Sequence, residues 1–323
     1  MSGVDQAGRG RAAPGSDGAV WPLEETLVRA ADLAVAKWTE LRERPVAFGL
    51  KAFTGGAMVA FGAFLSLSVS AGITVPGLAN LVMGAVFGFS LVIIMVAGAS
   101  LITADMALGV VALWHRRLRW REYLTFVLAG YLGNAAGSWA FMGLVAAAAG
   151  PYAQPPWLLQ AHLLAVKRLA PSDASTFALG VLCTWLLQTA MFLYLKARTD
   201  VGKMILAYYG PLAFVAGMTE HAIANIGFLA LPLLMQPRWA ALVGPAAAHQ
   251  AWLTWGFGPL GWARNQLFTL LGNFVGGAVF VATVFQGMAD RGRLESLYRR
   301  RRGALGGEPV DRIGSSAVPD MVR

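Results

Sequence analysis

Six apolar stretches, at about residues 52–74, 80–114, 123–149, 174–195, 204–236 and 266–289, leave this chain few places to meet water. Each reaches the ~20 residues that an α-helix needs to cross the hydrocarbon of a bilayer. Charged residues make up only 13% of the chain, against about 25% in an average soluble domain. They gather at the two ends and in short clusters between the stretches. A water-soluble fold would spread charge over every exposed face, so lipid is the expected solvent. The net charge of +9 does not point to nucleic acid. The bases flank apolar runs and form no surface stripe interleaved with aromatics. Cys183 is the single cysteine, so no disulfide framework is expected. Residues 1–20 contain no apolar core of a signal peptide.

Stretches two and five span 35 and 33 residues, too long for one simple crossing and too short for two with a turn. Charge settles their parity. With six single crossings and both termini cytoplasmic, 18 bases fall inside and four outside, the latter being Lys167, Arg168, Arg238 and Arg264. Splitting either long stretch would put basic clusters on the wrong side. Each is therefore expected to cross once with an irregular middle.

The middles supply the irregularity. Gly98 to Asp105 reads GASLITAD and Gly217 to Asn225 reads GMTEHAIAN, both small and polar between apolar flanks. Backbone of that kind at membrane depth must be buried in protein or line a wet cavity. Stretches three and six carry a second pair, GNAAG at Gly133–Gly137 and GNFVG at Gly272–Gly276. Interrupted helices come second and GNxxG helices third in each half. Three crossings per copy give the copies opposite topology, so the expected fold is an all-α membrane protein of six transmembrane helices in two inverted three-helix repeats.

The ends divide differently. Residues 1–21 read as a disordered tail, and 22–48 as an amphipathic helix lying along the cytoplasmic membrane face, with acids early and bases late. Residues 49–290 form the transmembrane channel domain, and 291–323 a loose basic tail.

Ionisable groups at membrane depth are costly and mark function. Of the four histidines only His221 lies there, next to Glu220; His115, His162 and His249 fall in connecting segments. An anion crossing a low-dielectric region needs its lost hydration replaced. Half-helix N-termini, each about half a positive charge, the Thr103 hydroxyl and the Asn225 amide can replace it. His221 can attract the anion as a cation or hand it a proton, which suits conjugate bases of weak acids. No HExxH or second histidine accompanies it. Neither an enzyme nor a metal or other cofactor is expected.

These residues resemble the formate/nitrite transporter family over nearly all of 50–290. The most specific part is Gly210 to Ile226, GPLAFVAGMTEHAIANI, which is similar to the family's signature around its central histidine. Gly98 to Thr103 is similar to the family's Ω-shaped loop, and Gly133-Asn134, Gly272-Asn273 and Lys203 fall where the family has paired Gly-Asn and a lysine. The resemblance implies an aquaporin-like protomer in a homopentamer of the inner (plasma) membrane, conducting formate or nitrite with protons. Hydrosulfide, acetate or lactate is the alternative cargo. It further implies His221 as proton donor and Thr103 as its partner. Phe87, Leu91, Leu101, Ile102 and Phe214 become apolar gates, and Lys167 or Arg168 the basic residue of the outer vestibule. Three positions depart from the pattern. Ile102 replaces a common Phe, Thr184 a common Asn, and Ala104-Asp105 a small polar pair. Asp105 is expected to cap the second half of stretch two; facing the path instead, it would oppose anions.

Overall fold

The computed structural model describes residues 20–247, 249 and 261–304, and every named element among them is helical. The elements are α1 (Leu23–Glu43), α2 (Pro45–Ser70), α3 (Pro76–Val96), α4 (Ile102–Trp114), α5 (Trp120–Ala148) and α6 (Trp157–Leu169). Then come α7 (Asp173–Lys196), α8 (Asp200–Ala216), α9 (Ala222–Leu234), α10 (Gln236–Val243), α11 (Trp262–Met288) and α12 (Arg291–Ala304). A π-helical turn, Ala278–Thr283, lies within α11. The expected tail 1–21 falls outside the described residues except for its last two, and so does 305–323.

Four helices are long and apolar enough to cross a membrane alone, namely α2, α3, α7 and α11. Stretch two is the 21-residue α3 followed by the 13-residue α4, and stretch five is α8 followed by α9. The α5 helix has 29 residues but a more mixed sequence. Hydrophobic length thus belongs to whole helices in some places and to broken pairs in others. The chain is an integral membrane protein.

The halves share one hydrogen-bond plan. At the first break Gly98 has φ 65°, and at the second Met218 has φ 55°. The left-handed region strains a side chain such as methionine and costs glycine nothing. Ala97, Gly98 and Ala99 donate to Ile93, Met95 and Ile94, and Gly217, Met218 and Thr219 donate to Ala213, Val215 and Phe214. Ser100 N–H reaches the Lys51 carbonyl at 3.1 Å, and Glu220 N–H the Leu179 carbonyl at 3.3 Å.

The two GNxxG asparagines lock these loops. Asn134 Oδ1 accepts from Ile102 N–H at 2.9 Å, while its Nδ2 donates to Ala52 and Ser100 carbonyls at 2.7 and 2.8 Å. Asn273 Oδ1 accepts from Ala222 N–H at 2.9 Å, and its Nδ2 donates to Gly180 and Glu220 carbonyls at 2.9 and 2.8 Å. Each asparagine satisfies backbone that no helix can, the condition for irregular chain away from water. The motif's glycines bring the helices close enough. A Cβ on Gly137 would fall inside the Phe53 carbonyl, and one on Gly272 inside that of Phe177. Accordingly α2 packs on α5, and α7 on α11. Each half-helix crosses into the other half: α4 packs on α7 and α11, α9 on α2 and α5.

The ends differ from expectation. The stripe Leu27, Ala30, Ala31 and Ala34 of α1 is fully buried, and the helix packs chiefly against α4. Its apolar face is thus consumed by protein contact and is not available to lipid. Pro45 occupies the first turn of α2, where its missing N–H costs nothing, so the first span begins at 45 and not 49. Residues 291–304, expected to be loose, form α12. Arg293 pairs with Glu24 at 3.7 Å, and Arg301 with Glu25 at 3.4 Å and with Asp32.

Candidate functional site

Both breaks meet at one point. Thr103, on the first turn of α4, and His221, the N-cap of α9, are buried, with Thr103 Oγ1 2.9 Å from His221 Nε2. Ala224 N–H donates to His221 Nδ1 at 3.1 Å. A nitrogen that accepts carries no proton, so the neutral ring holds its hydrogen on Nε2 and donates it to Thr103. The Thr103 hydroxyl hydrogen is then left for another acceptor. Gln188 Nε2, from α7, donates to the Thr103 carbonyl. Sequence reading missed Gln188; its only signal was an amide inside an apolar run.

Aromatic rings enclose the pair on one side. Phe214 stacks on His221 at 5.1 Å and 9°, and Phe87 meets Phe214 edge-on at 5.5 Å. Phe228, also missed, stacks on Phe87 at 6.3 Å. Met83, Phe87 and Leu91 follow at i, i+4 and i+8 on α3, one stripe that lines a single direction. Leu91, Leu101 and Ile102 are all buried in the same core.

At the Met83 end of that stripe lies a cavity of about 490 Å³, lined among others by Thr74, Asn80, Gln160 and Lys167. Of the two basic residues expected near an outer vestibule, Lys167 is the one that lines this cavity. Arg168 points the other way, 3% exposed, and pairs with Glu220 Oε1 at 2.9 Å. It also donates to the Thr219 carbonyl at 2.7 Å and lies over the Phe228 ring. Glu220 Oε2 accepts from Asn225 Nδ2 and from Asn265 Nδ2. Asn225, expected to donate to the anion, spends its amide on Glu220, Asn265 and Thr269. The buried acid claims those donors because an unpaired carboxylate there costs far more than a shared amide.

Asp105 does not cap α4. That helix starts after Leu101 with no side-chain cap. The carboxylate is fully buried and accepts from the Ser100 hydroxyl at 2.6 Å and from the Lys37 ammonium of α1. Thr184 reaches α11 by donating to the Asn273 carbonyl at 2.8 Å. Lys203 pairs with Asp200 at the surface, 3.5 Å away. Of the remaining histidines, His115 bonds Gln286 at 2.9 Å, His162 stacks on Trp239 at 3.4 Å, and His249 is exposed. Among the described residues no three of His, Cys, Asp and Glu gather as metal ligands.

The sequence profile of the formate/nitrite transporters matches residues 24–286, which includes both breaks, both asparagines and α1. The chain belongs to the formate/nitrite transporter family. A probable formate transporter of Methanothermobacter thermautotrophicus is 28% identical over 253 residues, covering 72% of this chain and 85% of that one. The nitrite transporter NirC of Escherichia coli (strain K12) is 27% identical over 237 residues, covering 73% and 81%. Among solved structures, one described as an FNT family ion channel superposes with a TM-score of 0.71 at 22% identity, over 82% of this chain and 99% of that one. Another, a pentameric formate channel with formate bound, gives 0.64 at 22% identity, over 75% and 96%. The fold is that of these channels. Within the formate/nitrite transporter fold, two interrupted helices present Thr103 and His221 to each other, and that place is the candidate site.

Proposed function

We propose that this membrane transport protein conducts small monovalent weak-acid anions, formate or nitrite, through each protomer. The observation that carries the reading is the Thr103–His221 hydrogen bond, enclosed by Phe87 and Phe214 where two helix N-termini converge. An anion arriving from the Lys167 cavity meets a hydroxyl whose oxygen is already held by the imidazole, so the hydroxyl hydrogen turns to the anion. The two half-helix ends add about half a positive charge each. Phe87 and Phe214 on one side, and Leu91, Leu101 and Ile102 on the other, act as gates. A neutral acid passes such gates far more cheaply than an ion.

Proton transfer from His221 requires a doubly protonated ring, which must give up the Ala224 N–H at Nδ1. In this reading, protonation of the ring and loosening of the first turn of α9 go together. The same cap favours a second reading, in which His221 stays neutral and serves as a fixed donor. We further infer six crossings in two inverted repeats, with an aquaporin-like protomer in a homopentamer. Both termini lie in the cytoplasm and the Lys167 cavity faces outward, in the inner (plasma) membrane.

Stopped-flow uptake of formate, nitrite and water by proteoliposomes tests the reading. Uptake of either anion well above that of empty vesicles supports it, and uptake of water alone contradicts it. A rise as external pH falls from about 8 to about 5, the range in which an ordinary histidine titrates, favours proton donation. A flat profile favours the fixed donor.

A further inference from the structure

The two halves each bury one acid beside a helix break, and each neutralises it from the short helix that precedes the repeat. In the second half Arg168 of α6 pairs with Glu220, whose other oxygen accepts from Asn225. In the first half Lys37 of α1 pairs with Asp105 and Ser100, and Ser100 bonds to Asp105. By the shared hydrogen-bond plan Ser100 corresponds to Glu220 and Asp105 to Asn225. The acid has thus changed arms: it sits on the loop in one half and on the half-helix in the other. The geometry points to Lys37 and Asp105 as a pair that determines anion permeation at the α4 end of the path, an inference that rests on the anion-conduction reading.

The reason is electrostatic. Asp105 lies in the first turn of α4, two residues from Thr103. That spacing is about 200° around a helix, so the carboxylate faces away from the hydroxyl and acts through its field and not by contact. The α4 N-terminus offers an anion about half a positive charge. A bare carboxylate in the same turn would more than cancel it. Taking about 8 Å and an effective dielectric of about 20, one uncompensated charge changes anion occupancy roughly 30-fold. Lys37 removes that penalty. Its side chain is 22% exposed while Asp105 is fully buried, so the lysine is the partner that can leave and the carboxylate the one that cannot. Residues on α1, outside the spans, therefore control whether the buried site tolerates an anion.

The test uses full-length protein in proteoliposomes, with formate and nitrite uptake and the assembly state read together. Lys37→Met should lower uptake tenfold or more, and Lys37→Arg should stay within threefold of the parent. Adding Asp105→Asn to Lys37→Met should restore uptake to within threefold, which loss of a merely structural contact would not do. Uptake unchanged in Lys37→Met, or a double variant as slow as Lys37→Met alone, overturns the inference. If Lys37→Met does not assemble, Asp105→Asn carries the test, since it leaves no buried charge. In that background Lys37→Met should alter uptake less than threefold, and a tenfold fall overturns the proposal. A parent protein that moves neither anion rejects the underlying function, and so is distinguishable from each of these results.

Discussion

Asn134 and Asn273 each make the same three hydrogen bonds, one accepted from a half-helix N–H and two donated to backbone carbonyls. Neither side chain lines the Lys167 cavity or takes part in the Thr103–His221 hydrogen bond. Their task is to hold two helix ends open toward each other where water is scarce.

Asn134→Ala and Asn273→Ala should therefore cost similar amounts. Each strands two buried backbone groups, the first N–H of a half-helix and a loop carbonyl, at about 1–3 kcal/mol apiece, while the third partner is a carbonyl inside α2 or α7. We expect both variants to lose about 3 kcal/mol or more, read as a large fall in the melting temperature of the assembled protein in detergent. A substantial loss in one and none in the other would contradict the equivalence of the halves.

The glycines make a sharper contrast. Gly56→Ala and Gly137→Ala place a Cβ into a facing backbone carbonyl, while Gly49→Ala and Gly143→Ala meet nothing within 4 Å. Backbone cannot move aside as a side chain can, so the first two should fail to assemble or melt far lower. The second two should match the parent or gain slightly, because alanine favours helix. Size-exclusion profiles and melting curves of the four variants decide it.

Much of this was legible in the sequence. Two over-long apolar runs with polar middles announced the broken helices, and the repeated GNxxG announced the asparagine locks. His221 stood out as the histidine at membrane depth. What escaped was whatever depended on a partner remote in sequence. Asp105 read as a cap because its own neighbourhood permitted one; the lysine that claims it lies 68 residues away on α1. Asn225 read as a donor to the anion until Glu220 was seen to hold it. Gln188 and Phe228 gave too weak a local signal, since an amide or a ring in an apolar run shows nothing of what it will touch. The α1 helix was recognised as amphipathic, but a sequence does not say whether lipid or protein covers the apolar face.

Acid should weaken the α6 end of the molecule. Burial pushes the His162 imidazole from an ordinary 6.5 down to about 3, on a helix outside the spanning segments. Below about 6.5 the unfolded chain binds a proton that the folded protein refuses. Stability is therefore complete above that pH and falls as pH drops toward 3. His162→Phe preserves a ring against Trp239 and removes the titration. Its melting temperature should decline less than the parent's between pH 7 and pH 4.5. An equal decline in both would show that other groups set the acid sensitivity.

The most direct measurement of the central claim is formate and nitrite uptake by His221→Phe. Phenylalanine keeps a ring to stack on Phe214 but offers Thr103 no donor, the anion no proton and the Ala224 N–H no acceptor, so the site loses its chemistry and the first turn of α9 loses its cap. Uptake of both anions should fall at least tenfold in proteoliposomes while the protein still assembles like the parent. Thr103→Val should fall alike and Thr103→Ser should not. Undiminished formate and nitrite flux through His221→Phe would contradict the account.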